Sequence, residues 1–278
     1  MSVLIKKLLY KSRLEITKLF NSKDGYFYCN ERENIGDSMV PYILEKTNAL
    51  NYLKIENRLQ NQLSSSGSVL FSIGSVLQWA NKRSVVWGSG LISKDSKPKG
   101  LPRLLAVRGK KTREVLEGSY SVDLSGIVLG DPGLLISKYY SPKNSKDYKY
   151  GIVLHYVDKR LSWLFERDDV LIIDIETTNI ELFCDCINRC ENILSSSLHG
   201  LVIADSYSIP NAWIKLSDNI FGDDFKFYDY FSIFEDDRRR PFTVRSKNES
   251  FDKISFVKKC PLVIASVNDD LLGLLVET

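Results

Sequence analysis

Only two histidines occur in the 278 residues, His155 and His199. Each stands where an apolar run meets a polar turn, in GIVLHYVDKR and SSSLHGLVIAD. Imidazole, with an unperturbed pKa of about 6.5, suits proton transfer near neutral pH. In the second phrase the strand pattern ENILS hands over to a helical pattern whose cap is Ser196 or Ser197. A serine cap leaves the first backbone N–H groups facing outward at the positive end of the helix dipole, a place suited to an anion. His199 then falls in the first turn, where it can face the same anion, and Gly200 allows close approach to the helix. The other reading of these residues is a capped, buried helix whose histidine hydrogen-bonds internally. Arg108 follows LLAV directly and precedes a glycine turn, and its planar fork matches a carboxylate or a phosphate. Lys110, Lys111 and Arg113 read as a solvated helix start. Asp131 in GDP and Asp158 in HYVD occupy strand-end turns, either as helix caps or as holders of a basic partner. Asn34, Gly36 and Asp37 fall in the loop of NIGDSMVPY, between the first strand and its helix.

The elements that must position these residues alternate between strand and helix patterns, which predicts an α/β architecture with largely parallel sheets. GYFYCN reads as a strand and MVPYILEKTNAL as a helix. SVLFSIGSVLQWA and SVVWGSGLIS follow, then RLLAVRGKKTREVLEG as strand, turn and helix with Gly118 as the stop. SGIVLGDPGLLIS closes the first half. The polar SPKNSKDYK has no periodicity and reads as a linker. The pattern then restarts with KYGIVLHYV, DVLIIDI, the helix ELFCDCINRC, the strand ENILSS, the helix LHGLVIADSYSI and the strand NAWIKL. The tail from FKFYDYF reads mainly helical. Two Rossmann-like domains, 1–145 and 146–278, are expected to face a central cleft, with ligands beyond the carboxyl ends of the strands.

Composition narrows the classes. Hydrophobic residues make up 44% and charged residues 26%, with a net charge of +3, as in an ordinary globular chain. No basic face with interleaved aromatics stands out, so nucleic acid is not expected as a partner. The leading MSVLIKKLLYKSRLEITKLF has apolar stretches too short for a targeting segment and fits a basic amphipathic helix. That helix packs on the domain or touches a membrane surface peripherally. The five cysteines, an odd number without a secretory leader, suggest reduced thiols and a cytoplasmic location. In CDCINRC, helical periodicity puts Cys186 and Cys190 on one face and Cys184 elsewhere, with no fourth ligand nearby, so no metal site is expected. WGSGL lacks the lysine of a P-loop, and no GxGxxG occurs.

The ordered series NIGDSMVPYILEK, FSIGSVL, VVWGSGLI, AVRGKKTREVL, LGDPGLL, LHYVD, ILSSSLHGLVIADSYSIPNAWIKLSD and FKFYDYF resembles the polysaccharide pyruvyl transferase family. It is most similar to the branch acting in bacterial exopolysaccharide and capsule assembly. The resemblance runs from about residue 30 to 232 and is most specific from Ile193 to Asp218. It implies a GT-B-like pair of Rossmann-like domains, the first on the acceptor side and the second on the donor side. It also implies transfer of pyruvate from phosphoenolpyruvate (PEP) onto two hydroxyls of one sugar, in a polysaccharide or its lipid-linked precursor. The expected location is cytoplasmic, and any peripheral contact of the leading helix would be with the inner face of the plasma membrane.

The family's histidine maps to His199 and its basic contact, less directly, to Arg108. His155 is a second catalytic candidate. Ser196, Ser197, Gly200, Arg108 and Lys215 are candidates for holding PEP, with Lys159 as a further source of positive charge. Asn34, Asp37 and Asp131 are candidates for the acceptor. The chemistry calls for neither a metal nor a cofactor beyond the donor. Many members of the family carry arginine where this chain has Ser197, and glycine where it has Ser208. The alternatives are a nucleotide-sugar glycosyltransferase on the same architecture and an inactive relative that scaffolds other assembly enzymes.

Overall fold

The computed structural model describes residues 25–28, 33–47, 53–56, 69–143, 145–234, 240–247, 249–259 and 261–276. The leading amphipathic segment lies outside them. The first half contributes six strands: β1 (Gly25–Tyr28), β2 (Leu53–Glu56), β3 (Val69–Phe71), β4 (Val85–Trp87), β5 (Arg103–Val107) and β6 (Val128–Leu129). They form one parallel sheet in the order β2-β1-β3-β4-β5-β6. The second half contributes β7 (Tyr148–Val153), β8 (Val170–Ile173), β9 (Cys190–Ser195), β10 (Asn211–Lys215) and β11 (Phe242–Thr243), parallel in the order β11-β10-β9-β7-β8. Aliphatic runs such as VVW and GIV suit this packing, because parallel strands are covered on both faces.

Both sheets follow one rule. The second strand lies outside the first, and the third lies on the first strand's other side. The chain direction therefore reverses between β1 and β3, and again between β7 and β9, and the crevice beyond the carboxyl ends at such a point is where ligands of open α/β sheets bind. His155 follows β7 and Ser196 follows β9, so one crevice carries both phrases that the sequence singled out.

The described helices are α1 (Ile35–Lys46), α2 (Lys110–Tyr120), α3 (Ile136–Tyr139), α4 (Ile180–Asn188), α5 (Leu198–Ser206), α6 (Phe225–Phe231) and α7 (Pro261–Val276). The strands divide near residue 145, but the helices cross the division. α1 reaches the second half through Ile35 N–H to the Ile175 carbonyl (3.1 Å) and Tyr42 Oη to Glu181 (3.1 Å). α7 returns to the first half, where its Leu271 carbonyl accepts from Trp87 Nε1 (3.0 Å) and its Val267 packs on Gly130. α5 is apolar nearly all round and buried, and its Val202 meets Gly133 of the first half. One apolar cluster accordingly joins Ile35, Leu70 and Trp87 to Val153, Ile173 and Leu271.

Four local expectations need correction. α1 begins at Ile35 rather than at Met39, because the Asn34 side chain accepts from Gly36 N–H and caps it; Gly36 and Asp37 are therefore helical. α2 runs through Gly118 to Tyr120 and stops at Ser121, whose backbone is left-handed (φ 52°). α4 ends at Asn188, so Cys190 opens β9 and does not share a helix face with Cys186. The tail is not mainly helical after α6: β11 and a short 3-10 turn precede α7.

Candidate active site

Three serines stitch β7 to β9 at the reversal point. Ser196 N–H donates to the Val153 carbonyl (3.0 Å), and Ser196 Oγ accepts from His155 N–H (2.9 Å). Ser195 Oγ accepts from Ser197 N–H (3.0 Å) and lies within hydrogen-bond distance of the Val153 and Ser197 carbonyls. Ser197 is the N-cap of α5 but makes no side-chain cap bond, so the N–H groups of the first turn lack an intrahelical acceptor. Gly200 is there for packing rather than for a ligand. A Cβ at that position would sit 2.5 Å from Ser195 Oγ and 2.8 Å from Val153, so only glycine lets α5 settle on β7.

The first turn of α5 meets the first turn of α1. A Cβ on Gly36 would lie 2.0 Å from His199 Nδ1, so the imidazole rests directly on that glycine. Two positive helix ends therefore converge on one ring. His199 Nε2 is shut off from solvent and has no hydrogen-bond partner. Burial first, then the charges of Lys226 and Arg108, push its pKa down to about 3, so the ring is neutral at pH 7. Beside it, burial and Arg108 bring the Lys226 ammonium down to about 8. The carboxylates nearest Lys226 oppose this only partly, because they are engaged elsewhere: Asp224 with Lys215 (2.7 Å) and Asp158 with Ser217 (2.6 Å). Asp37, in the first turn of α1, is raised by burial to about 7. Asp131 is raised to about 6 by burial, against the Gly133 N–H bond and the charge of Arg108, which lower it; its Oδ2 is unpartnered. The pocket is thus rich in positive potential and poor in ionised acid.

Several expected roles change. Arg108 offers no free fork: it is fully buried, with Nε on Asp229 (2.9 Å), Nη1 on Ser75 (2.6 Å) and Nη2 on the Leu91 carbonyl (2.8 Å). Asp229 also accepts from Thr112 N–H and Oγ1, both at 2.7 Å. This network pins α6 to the first half and so fixes Lys226, one helical turn before Asp229. The His155 ring serves its own turn, accepting from Val157 N–H and lying 4.3 Å from the Tyr156 ring. Lys215 is held above the usual lysine value by Asp224 and Asp218, and Lys159 likewise by Asp174 and Glu176. Neither cation is free for an anion. Asn34 is the cap of α1. Lys226 and Asp229 are the residues that sequence reading missed. Their signal is a charged pair three apart in FKFYDYF, an otherwise aromatic helix. Among the described residues no group of His, Cys, Asp and Glu side chains could hold a metal ion, and burial raises the Cys184 and Cys190 thiols to about 12.

The polysaccharide pyruvyl transferase family model matches residues 57–218, more than half of the chain. The chain belongs to that family. An uncharacterised protein of Acanthamoeba polyphaga mimivirus is 38% identical over 185 residues, 63% of this chain; the match spans 64% of that relative's own length. A functionally uncharacterised protein from Klebsiella pneumoniae superposes with a TM-score of 0.47 at 13% identity, over 88% of this chain and all of its own. Ser208, where the resemblance leads one to expect glycine, has a left-handed backbone (φ 54°), which glycine adopts without strain. Ser197, where the resemblance leads one to expect arginine, is the N-cap of α5, two residues before His199.

Proposed function

We propose that the chain is a ketal pyruvyltransferase that moves pyruvate from PEP onto two hydroxyls of one sugar in a surface polysaccharide or its lipid-linked precursor. Beyond family membership, one observation carries this reading. His199, with Nε2 unpartnered, sits where two helix N-termini meet beside the under-neutralised Lys226. The charge of Lys226, which adds to burial in keeping this imidazole neutral, is what a trianionic donor needs, and it stands in for the arginine that the family resemblance would place at Ser197.

The chemistry follows from the protonation states. Neutral His199 takes the proton of the attacking sugar hydroxyl as its oxygen bonds to C2 of PEP, and gives a proton to the methylene carbon, which becomes methyl. A second hydroxyl then displaces phosphate from C2 and closes the ketal, and its proton leaves with the phosphate. PEP and a diol thus give the ketal carboxylate and hydrogen phosphate, with no redox change and no further reactant. Lys226 and the helix ends hold the phosphate and carboxylate.

The test is incubation of the purified chain with PEP and a lipid-linked oligosaccharide. Phosphate release should match a mass gain of one pyruvic acid less one water. His199→Ala and Lys226→Met should each cost about 10²-fold or more. Wild-type rates in both variants, or thermal stabilisation by UDP or GDP but not by PEP, would refute the assignment.

A further inference from the structure

Toward the β11 edge of the second sheet, a groove of about 580 Å³ runs beside the amino half of β10. It forms because β11 starts only at Phe242, in register with Ile214, which leaves residues 211–213 flanked by the lead-in to β11 and by the segment around Val257. Three cations line it, Arg240, Lys253 and Lys258, all exposed and without an ion pair among the described residues. Among the described residues no acidic side chain lines it. Phe242 and Phe256 supply apolar wall. Asn211, fully buried, contributes an Oδ1 that has no hydrogen-bond partner, while its Nδ2 is satisfied by Asp205 and the Ile209 carbonyl. Exposed cations and aromatic wall together match a ligand that carries negative charge and apolar ring faces.

We propose that this groove, beside the amino half of β10 and outside the His199 pocket, binds an anionic sugar residue bearing carboxylate or phosphate. The anion specificity rests on the groove alone; the saccharide rests on the pyruvyl-transfer reading. Pyruvylation turns a neutral diol into a carboxylate-bearing ketal, so an acceptor long enough to reach both places would be held by its charged parts while a neutral unit enters the cleft. Those charges are either carboxylates along the glycan or the phosphate that links it to a carrier.

Isothermal titration of the full chain tests this with three probes: a uronate-containing oligosaccharide, a hexose 1-phosphate and a neutral oligosaccharide of matched length. All titrations use the Lys226→Met background, so that the PEP pocket does not bind the phosphate probe. An anionic probe should bind and the neutral one should not. Arg240→Ala combined with Lys258→Ala should weaken binding by about 10-fold or more, as loss of charged hydrogen bonds requires. Preference for the uronate assigns the groove to the glycan; preference for the phosphate assigns it to the carrier end. Equal binding of the neutral probe, no binding at all, or unchanged affinity in the double variant or in Lys253→Glu would overturn the proposal. Groove binding without PEP turnover by the unmodified chain would instead remove the pyruvyl-transfer reading and leave the anion site standing.

Discussion

Replacing Gly36 by alanine should separate stability from activity. The added Cβ would stand 2.0 Å from Nδ1, 2.1 Å from Cε1 and 2.7 Å from Cγ of His199. Ordinary carbon contacts need about 3.5–4.0 Å, so the ring must retreat by more than about 1 Å. The ring is the movable partner, since Gly36 is fixed in the first turn of α1 by the Asn34 cap. Alanine gains up to about 1 kcal/mol of helix propensity over glycine, whereas overpacking costs about 1–3 kcal/mol. The net destabilisation is therefore at most about 3 kcal/mol, a fall in Tm of several degrees. Displacing a catalytic group by about 1 Å costs on the order of 10²-fold in rate. Gly36→Ala should thus keep a cooperative thermal transition while losing about two decades of PEP-dependent phosphate release. Wild-type turnover would show that the placement of His199 over Gly36 has no part in catalysis.

Other outcomes follow from the same contacts. Asp229→Asn leaves Arg108 buried without its counter-charge and should cost about 3–5 kcal/mol in urea unfolding; the reasoning fails if stability is unchanged. His199 sets an acid limb. Its folded pKa of about 3 lies below the unfolded value near 6.5, so the unfolded state binds protons first and stability falls as the pH drops through 6.5. The loss reaches about 2 kcal/mol by pH 5, and His199→Gln should abolish it. Asp37 and Asp131 act in the opposite sense: with raised folded values of about 7 and about 6, they add stability on acidification. The variant should therefore become relatively more stable toward pH 5, and a pH profile parallel to wild type would contradict this.

Much of the fold was legible because its signals are local. ENILS before a serine cap, and VVW or RLLAV before glycine, announce strand-to-turn junctions whatever lies around them. Helix ends were read less well where a distant partner or an unusual backbone decides them. Ser121 ends α2 by adopting a left-handed conformation, which nothing in KKTREVLEGSY announces. At the site, His199 and its helix start were legible, since a scarce imidazole after three serines is visible in the chain. The fate of Arg108 was not. Its fork is consumed by Ser75, Leu91 and Asp229, up to 121 residues away, and such pairing leaves no periodicity. For the same reason the sequence named Arg108 as a cation for an anion, a role that the proposed reading assigns to Lys226.

The central claim is that the field around His199 is built for a polyanion. With two histidines in the chain, imidazole signals in an NMR pH titration can be assigned with a single His155→Gln control. Free protein should show His199 remaining neutral down to acid pH, near its value of about 3. Saturating PEP should raise that pKa toward neutrality, because the bound charges offset Lys226 and Arg108. If PEP binds and His199 does not move, or only His155 responds, the donor lies elsewhere and the account is wrong.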